Sequence, residues 1–285
     1  MSLIVVTGLA AEARIAYVGD GAIVGAGRAH RLARDLEAAI SAGAQRLLSF
    51  GIAGALVPHL RPGDLIVAHS VRDIDGSLLC DPDWRRAIRN RLQPTASNGE
   101  DEKTSGSALF RFCRNGGWRP IVTGVGEHPR AEIAAAEAPV ADKIGKTALF
   151  AATGAIAADM ESAIVARAAR RYGLPFAILR VVADPAHRSL PSAALVAMRP
   201  DGEVDIGGVF GALSRDPRQL AMLARLAVDA RQAFGALARA RALLGADFAT
   251  FELDKSRATL GAAPARRSHS AVLAGSIRGY AQDAV

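Results

Sequence analysis

The chain has 285 residues, half of them apolar, with 35 Lys and Arg against 28 Asp and Glu, a formal charge of +7. This excludes a disordered polyelectrolyte and leaves ample chain for one domain of about 250 residues or two smaller ones. No apolar run approaches the ~20 residues that span a bilayer, the N-terminal apolar stretch is too short for a secretion signal, and Cys80 and Cys113 alone exclude a disulfide framework or a cysteine-based zinc site.

Leu3 to Gly8 (LIVVTG) reads as a buried strand ending in a turn. Leu32, Leu36 and Ile40 mark one face of a helix over Arg28–Ser41. A second strand, Arg46–Ile52, runs into the small residues Gly51-Ile52-Ala53-Gly54-Ala55. Pro62-Gly63 makes a turn before a strand at Asp64–His69, and Asp81-Pro82 caps a short helix. Residues 93–107 are polar and aperiodic, the pattern of a mobile surface loop. A strand over Pro120–Val125, a helix over Lys143–Ala151, a strand at Ala155–Ala158 and a helix over Glu161–Tyr172 follow, the last closed by Gly173. Phe176–Ala183 (FAILRVVA) is the clearest strand, and Pro217–Leu244 is a long Ala/Leu/Arg helix. Strands alternating with helices predict an α/β three-layer sandwich with a mixed, largely parallel central sheet. One domain is expected over 1–247, with residues 248–285 as an appended tail.

Phosphate-cradling and dinucleotide glycine motifs are absent from the sequence, and the histidines show no metal-ligand spacing, so no metal and no cofactor are expected. Aromatic residues make up 5% of the chain, few platforms for stacking nucleic-acid bases, so no nucleic-acid partner is expected. In α/β sheets ligands gather where strands end. Acids stand at three such places: Glu12 after the first strand, Asp159 and Glu161 before the Glu161–Tyr172 helix, and Asp184 at the end of FAILRVVA. Singly, each also suits a helix start or a turn.

The wording and order of these segments carry more. SFGIAGAL (Ser49–Leu56), DMES (Asp159–Ser162) and LPFAILRVVADPA (Leu174–Ala186) resemble signatures of the nucleoside phosphorylase and nucleosidase superfamily. TGLAAE (Thr7–Glu12) resembles its methylthioadenosine/S-adenosylhomocysteine nucleosidase branch. Ala183–Asp205 is similar to the hopanoid-associated phosphorylases, which act on adenosylhopane. The resemblance implies cleavage of the N-ribosyl bond of a 5′-substituted adenosine by a homodimer or larger oligomer working in the cytoplasm, at the inner face of the membrane.

Breaking that bond builds positive charge on the ribose while the purine leaves with negative charge, and an acid at purine N7 lets the base depart neutral. The resemblance gives Asp184 this role, Glu161 the ribose hydroxyls, Met160 the sugar face, and Phe50, Gly51 and Asp159 the nucleoside pocket. Arg180, inside its strand, is expected to orient a carboxylate. Glu12 matches the acid that activates water in the nucleosidases. Phosphorolytic relatives carry an arginine just before the glycine of the second motif, where this chain has Ser49-Phe50-Gly51. Phosphate is nevertheless expected as co-substrate, held by Arg14 or Arg188, with hydrolysis or a non-catalytic nucleoside-binding role as alternatives. The helix 217–244 places Arg218, Arg225 and Arg239 on one face and Leu220, Leu223, Phe234 and Leu237 on another. It is a candidate for peripheral membrane contact, or for ordinary packing on the core.

Overall fold

The computed structural model describes residues 2–16, 22–25, 28–92, 108–112, 118–120, 131–195 and 219–250. Its elements in chain order are β1 (Ser2–Thr7), α1 (Ala10–Ala16), β2 (Ala22–Val24), α2 (Ala29–Ser41), β3 (Ala44–Ala55), β4 (Leu65–Val67), β5 (Ser70–Asp73), β6 (Gly76–Leu79), α3 (Pro82–Leu92), β7 (Leu109–Phe112), β8 (Trp118–Pro120), β9 (Glu132–Ala135), α4 (Lys143–Thr153), β10 (Ala157–Asp159), α5 (Ser162–Tyr172), β11 (Phe176–Asp184), α6 (Ser192–Leu195) and α7 (Gln219–Leu244).

The strands make one mixed α/β sheet flanked by helices, as the alternation of elements predicts. Its order is β6-β5-β9-β10-β3-β11-β4-β7-β8, with β1 on β3 and β2 on β1. Pairing is parallel along β2–β1–β3–β11 and along β5–β9–β10. It is antiparallel between β3 and β10, along β11–β4–β7–β8, and between β5 and β6. β3 organises the whole: its first half lies beside β1, its last residues beside β10, and β11 runs along its other edge.

Alternate side chains of β3 and β11 feed two cores on opposite faces. Leu47, Ala53, Ile178 and Val182 pack with α2 and α5. Leu48, Phe50, Leu179 and Val181 pack with α3 and α7. α5 starts at Ser162, with Glu161 as its N-cap residue, and ends at Gly173, whose φ of 65° is the left-handed conformation glycine tolerates.

Several elements escaped the sequence reading. α1 and β2 are short, and the β5–β6 hairpin turns through Ile74-Asp75, with Gly76 at φ 119° opening β6. The strand expected at Ala155–Ala158 runs Ala157–Asp159. Of the strand expected at Pro120–Val125 only Pro120 is described, as the last residue of β8. The loop 93–107, Cys113, Arg218 and residues 251–285 lie outside the described residues. Phe248, Ala249 and Thr250, assigned to the tail from sequence, are buried: the Phe248 ring meets Phe50 edge-on at 5.2 Å and its carbonyl accepts from Trp84 Nε1 at 2.9 Å. Among the described residues no helix is long and apolar enough to cross a membrane.

Candidate active site

β3 turns Ser49 and Gly51 toward α5, and β11 lays Arg180 opposite Gly51. Gly51 must be glycine: a Cβ there would lie 2.6 Å from Arg180 Nη1 and 2.6 Å from Glu12 Oε1. Arg180 is fully buried, a costly place for a charge unless it is paired and hydrogen-bonded. Its Nε lies 2.5 Å from Asp159 Oδ2 and its Nη2 lies 3.4 Å from Glu161 Oε2. Nη2 also donates to Ser49 Oγ at 2.7 Å and to Ser162 Oγ at 3.3 Å. Burial works against its charge, but Asp159, Glu161 and Glu12 outweigh it, so its pKa lies above the usual arginine value.

Asp159 faces this arginine rather than acting alone. Its Oδ1 also accepts from Ser162 N at 3.1 Å, and the Ser162 hydroxyl donates to its Oδ2. Asp159 is therefore both the counter-ion of Arg180 and a cap for α5.

Glu12 and Glu161 meet around Gly8. Gly8 N donates to Glu12 Oε2 at 2.7 Å, and Leu9 N donates to the same oxygen at 2.9 Å. Ile52 N donates to Glu12 Oε1 at 2.7 Å, so α1 is tied to β3 through this carboxylate. A Cβ on Gly8 would fall 2.9 Å from Glu161 Oε1, and one on Gly25 would fall 3.0 Å from Glu161 Cγ. Burial raises the Glu12 pKa against the pull of Arg180 and the three backbone N–H groups. Burial likewise raises that of Glu161, to about 7; Arg180 opposes the rise, and Asp159 and Glu12 add to it.

Asp184 lies at the far end of β11. Between Val182, paired with Ala53, and Asp184, paired with Gly54, the strand carries one extra residue, Ala183. Such a bulge re-aims the side chain that follows it. Four residues of strand separate Arg180 from Asp184, about 13 Å, on the scale of a nucleoside. Asp184 lines a cavity of about 340 Å³ together with Lys143, Arg188, Leu190, Met222 and Asp229. Its pKa is raised, burial being the main cause, with Lys146 and Arg188 pulling it back.

The residues named from sequence thus divide. Glu12, Glu161, Asp159 and Gly51 come together around Arg180, which is paired with the carboxylates of Asp159 and Glu161. Met160 is half-buried at the turn between β10 and α5. Phe50 does not join them: strand alternation turns its ring to the opposite face, where it packs on Phe248. Arg14 is exposed on α1, two residues and about 200° round the helix from Glu12. Arg188 is near Asp184 but is ion-paired with Asp229 at 2.7 Å.

Sequence reasoning missed Lys146. It is the buried residue of α4, while Ile144 and Phe150 of the same helix are exposed. That inverts the usual pattern, so hydrophobic periodicity hides it.

A profile of the phosphorylase superfamily matches residues 2–203. The chain belongs to this superfamily. No match was found among curated protein sequences. Among solved structures, a Streptococcus pneumoniae 5′-methylthioadenosine/S-adenosylhomocysteine nucleosidase bound to a transition-state inhibitor is similar at 14% identity and a TM-score of 0.50, over 86% of this chain and 100% of that one. A mutant Helicobacter pylori nucleosidase with 5′-methylthioadenosine in its active site is similar at 14% identity and a TM-score of 0.50, over 89% of this chain and 98% of that one. A Streptococcus pyogenes S-adenosylhomocysteine nucleosidase in complex with 5-methylthiotubericidin follows at 19% identity and a TM-score of 0.48, over 66% and 85%. At 14% identity the first two likenesses carry the shared fold alone. The superfamily motifs fall on the ends of β1, β3, β10 and β11, where the site has been built above.

Proposed function

We propose that this protein cleaves the N-ribosyl bond of a 5′-substituted adenosine and releases adenine. The observation that carries the reading is the buried set Glu12–Arg180–Glu161, packed around Gly8 and Gly51, with the acid Asp184 further along the same strand β11. Carboxylates beside the ribose stabilise the positive charge that develops there, and preorganised charge of this kind is a large catalytic contribution. Glu161 offers two acceptor oxygens to a vicinal diol. Asp184, its pKa raised by burial, supplies the proton that lets the purine leave neutral. Asp159 serves through Arg180, not through substrate.

The resemblance of Ala183–Asp205 makes adenosylhopane the substrate of choice, with phosphate as acceptor and Arg188 as its ligand. Hydrolysis is a second reading with its own support. Glu12 stands beside Glu161, whereas Arg14 is exposed and Arg188 is engaged by Asp229. We place the enzyme in the cytoplasm at the inner membrane face, acting as a homo-oligomer. The exposed Leu220, Met222 and Val228 on the first half of α7, with Arg225 among them, suit an anionic lipid surface.

The test is product analysis with adenosylhopane and 5′-methylthioadenosine, in phosphate-free buffer and with added phosphate. Phosphorolysis yields a ribose 1-phosphate at a rate that saturates with phosphate. Equal rates of free ribose formation without phosphate would remove phosphorolysis, and loss of that rate in Glu12→Gln would assign the water to Glu12. Absence of adenine release from either nucleoside would remove the reading as a whole.

A further inference from the structure

We propose that Lys146 is a positioning residue for Asp184: it anchors the carboxyl by one oxygen, leaves the other for the leaving purine, and sets the strength of the acid. This rests on the reading of Asp184 as the group that protonates the base.

Lys146 comes from α4, the helix that also brings Lys143 to the cavity beside Asp184. Lys146 is 1% exposed. Its Nζ lies 2.6 Å from Asp184 Oδ2, and it donates to Pro185 O at 3.0 Å and Arg188 O at 2.8 Å. An ammonium has three N–H donors, and here three acceptors meet them. A buried ammonium is tolerated only when so matched. Two of the acceptors are backbone carbonyls of the turn that follows β11, so one side chain fixes both the carboxyl and the turn behind it. The bulge at Ala183 re-aims Asp184, and Lys146 holds it there.

The charged groups around Asp184 come from three places: Lys143 and Lys146 on α4, Arg188 on the turn, and Arg225 and Asp229 on α7. Arg188 Nη2 is 2.7 Å from Asp229 Oδ2, so those two charges largely offset each other. Among the described residues Lys146 is the cation paired directly with Asp184. Burial pushes the Asp184 pKa up, and Lys146 pulls it back by hydrogen bond and by charge.

The Asp184 O–H bond breaks as an N7–H bond forms. The electron pair of the C1′–N9 bond leaves with the purine, and C1′ is captured by an oxygen of the acceptor, phosphate or water, whose proton, where it is water, passes to a base. The new carboxylate stays paired with the Lys146 ammonium, which keeps all its protons. An anion formed beside a cation in a water-poor site is stabilised where it is needed.

The experiment compares the full chain with Lys146→Met, Lys146→Arg and Asp184→Asn, following adenine release from 5′-methylthioadenosine and adenosylhopane across pH. Asp184 must be protonated to act, so activity falls as pH rises through its pKa. Loss of Lys146 raises that pKa. The alkaline limb should move up by about one pH unit or more in Lys146→Met, with kcat down about 10–100-fold and KM within about threefold, and Lys146→Arg should recover most of both. A second readout needs no turnover: the infrared carboxylic C=O band assigned by its loss in Asp184→Asn should titrate at higher pH in Lys146→Met. Should Lys146→Met fold poorly, Lys146→Gln carries the same comparison. A fall in kcat with both the pH limb and the infrared titration unmoved would make Lys146 a prop and overturn the proposal. Full activity in Asp184→Asn would instead remove the functional reading, while the infrared titration alone still shows whether Lys146 governs the protonation of Asp184.

Discussion

Gly51→Ala is the sharpest probe of how the site is built. The new methyl carbon would sit 2.6 Å from Arg180 Nη1, 2.6 Å from Glu12 Oε1 and 2.7 Å from Glu12 Cδ. Comfortable contacts of this kind begin near 3.5 Å, so something must move by about 1 Å. Neither neighbour can swing away. Arg180 is fully buried and gripped by Asp159, Ser49 and Ser162, and Glu12 is tied by three backbone N–H groups. Overpacking of this sort costs about 1–3 kcal/mol, offset by the ~0.5–1 kcal/mol that alanine gains over glycine inside a strand. A net loss of about 1–2 kcal/mol lowers the melting temperature by about 2–8 °C in a domain of this size. Because the displaced groups are the ones proposed to act on the ribose, kcat/KM should fall about 100-fold, the usual result of a 1 Å misplacement. Gly54→Ala is the internal control on the same strand. Its Cβ would meet Asp184 Oδ2 at 3.6 Å, an ordinary contact, and its melting temperature should match wild type or exceed it slightly. Calorimetry of both variants with adenine-release assays decides the matter. If Gly51→Ala melts and turns over like Gly54→Ala, the packed Glu12–Arg180 arrangement is wrong.

Asp184→Asn should slow adenine release about 10²–10⁴-fold with binding of the nucleoside little changed, measured by turnover and by calorimetric titration; a variant within threefold of wild type would take Asp184 out of the reaction. Glu161 carries a pKa raised to about 7 against an ordinary 4.5, so the folded protein binds more protons than the unfolded chain between those values. Glu161's contribution to stability therefore falls as pH rises from about 4.5 through about 7, and then levels. Melts at intervals across this range should show that slope reduced in Glu161→Gln, and a ribose substrate should bind more weakly below pH 7, where the protonated carboxyl accepts from the diol less well. Co-sedimentation with anionic vesicles tests α7: binding that weakens with salt and with Arg225→Gln supports the lipid contact, whereas no association at low salt removes it and leaves the glycosidic chemistry untouched.

Much of the frame was legible in the sequence because it is encoded locally. Largely apolar runs mark β1, β3 and β11, since strands covered on both faces need few polar side chains. The Gly173 stop of α5 is a backbone requirement, visible wherever glycine follows a helix. The acids Glu12, Glu161 and Asp184 were found by asking which carboxylates follow strands, and the order of the motifs around them pointed to the superfamily.

What local pattern could not supply is everything decided by elements meeting from far apart in the chain. Arg188 has a partner that no local pattern shows: α7 brings Asp229 to within 2.7 Å of it. Phe50 looked like a pocket residue until Phe248, from beyond the expected end of the domain, covered it on the other face of β3. Lys146 carries no signal in the sequence, yet α4 packs with this lysine inward because Asp184 and two carbonyls are there to receive it. Sequence periodicity reports how often a side chain returns to one face of its element. Which face is buried, and what charge waits there, depends on partners tens of residues away, and for a buried charge that partner decides whether the position can exist at all.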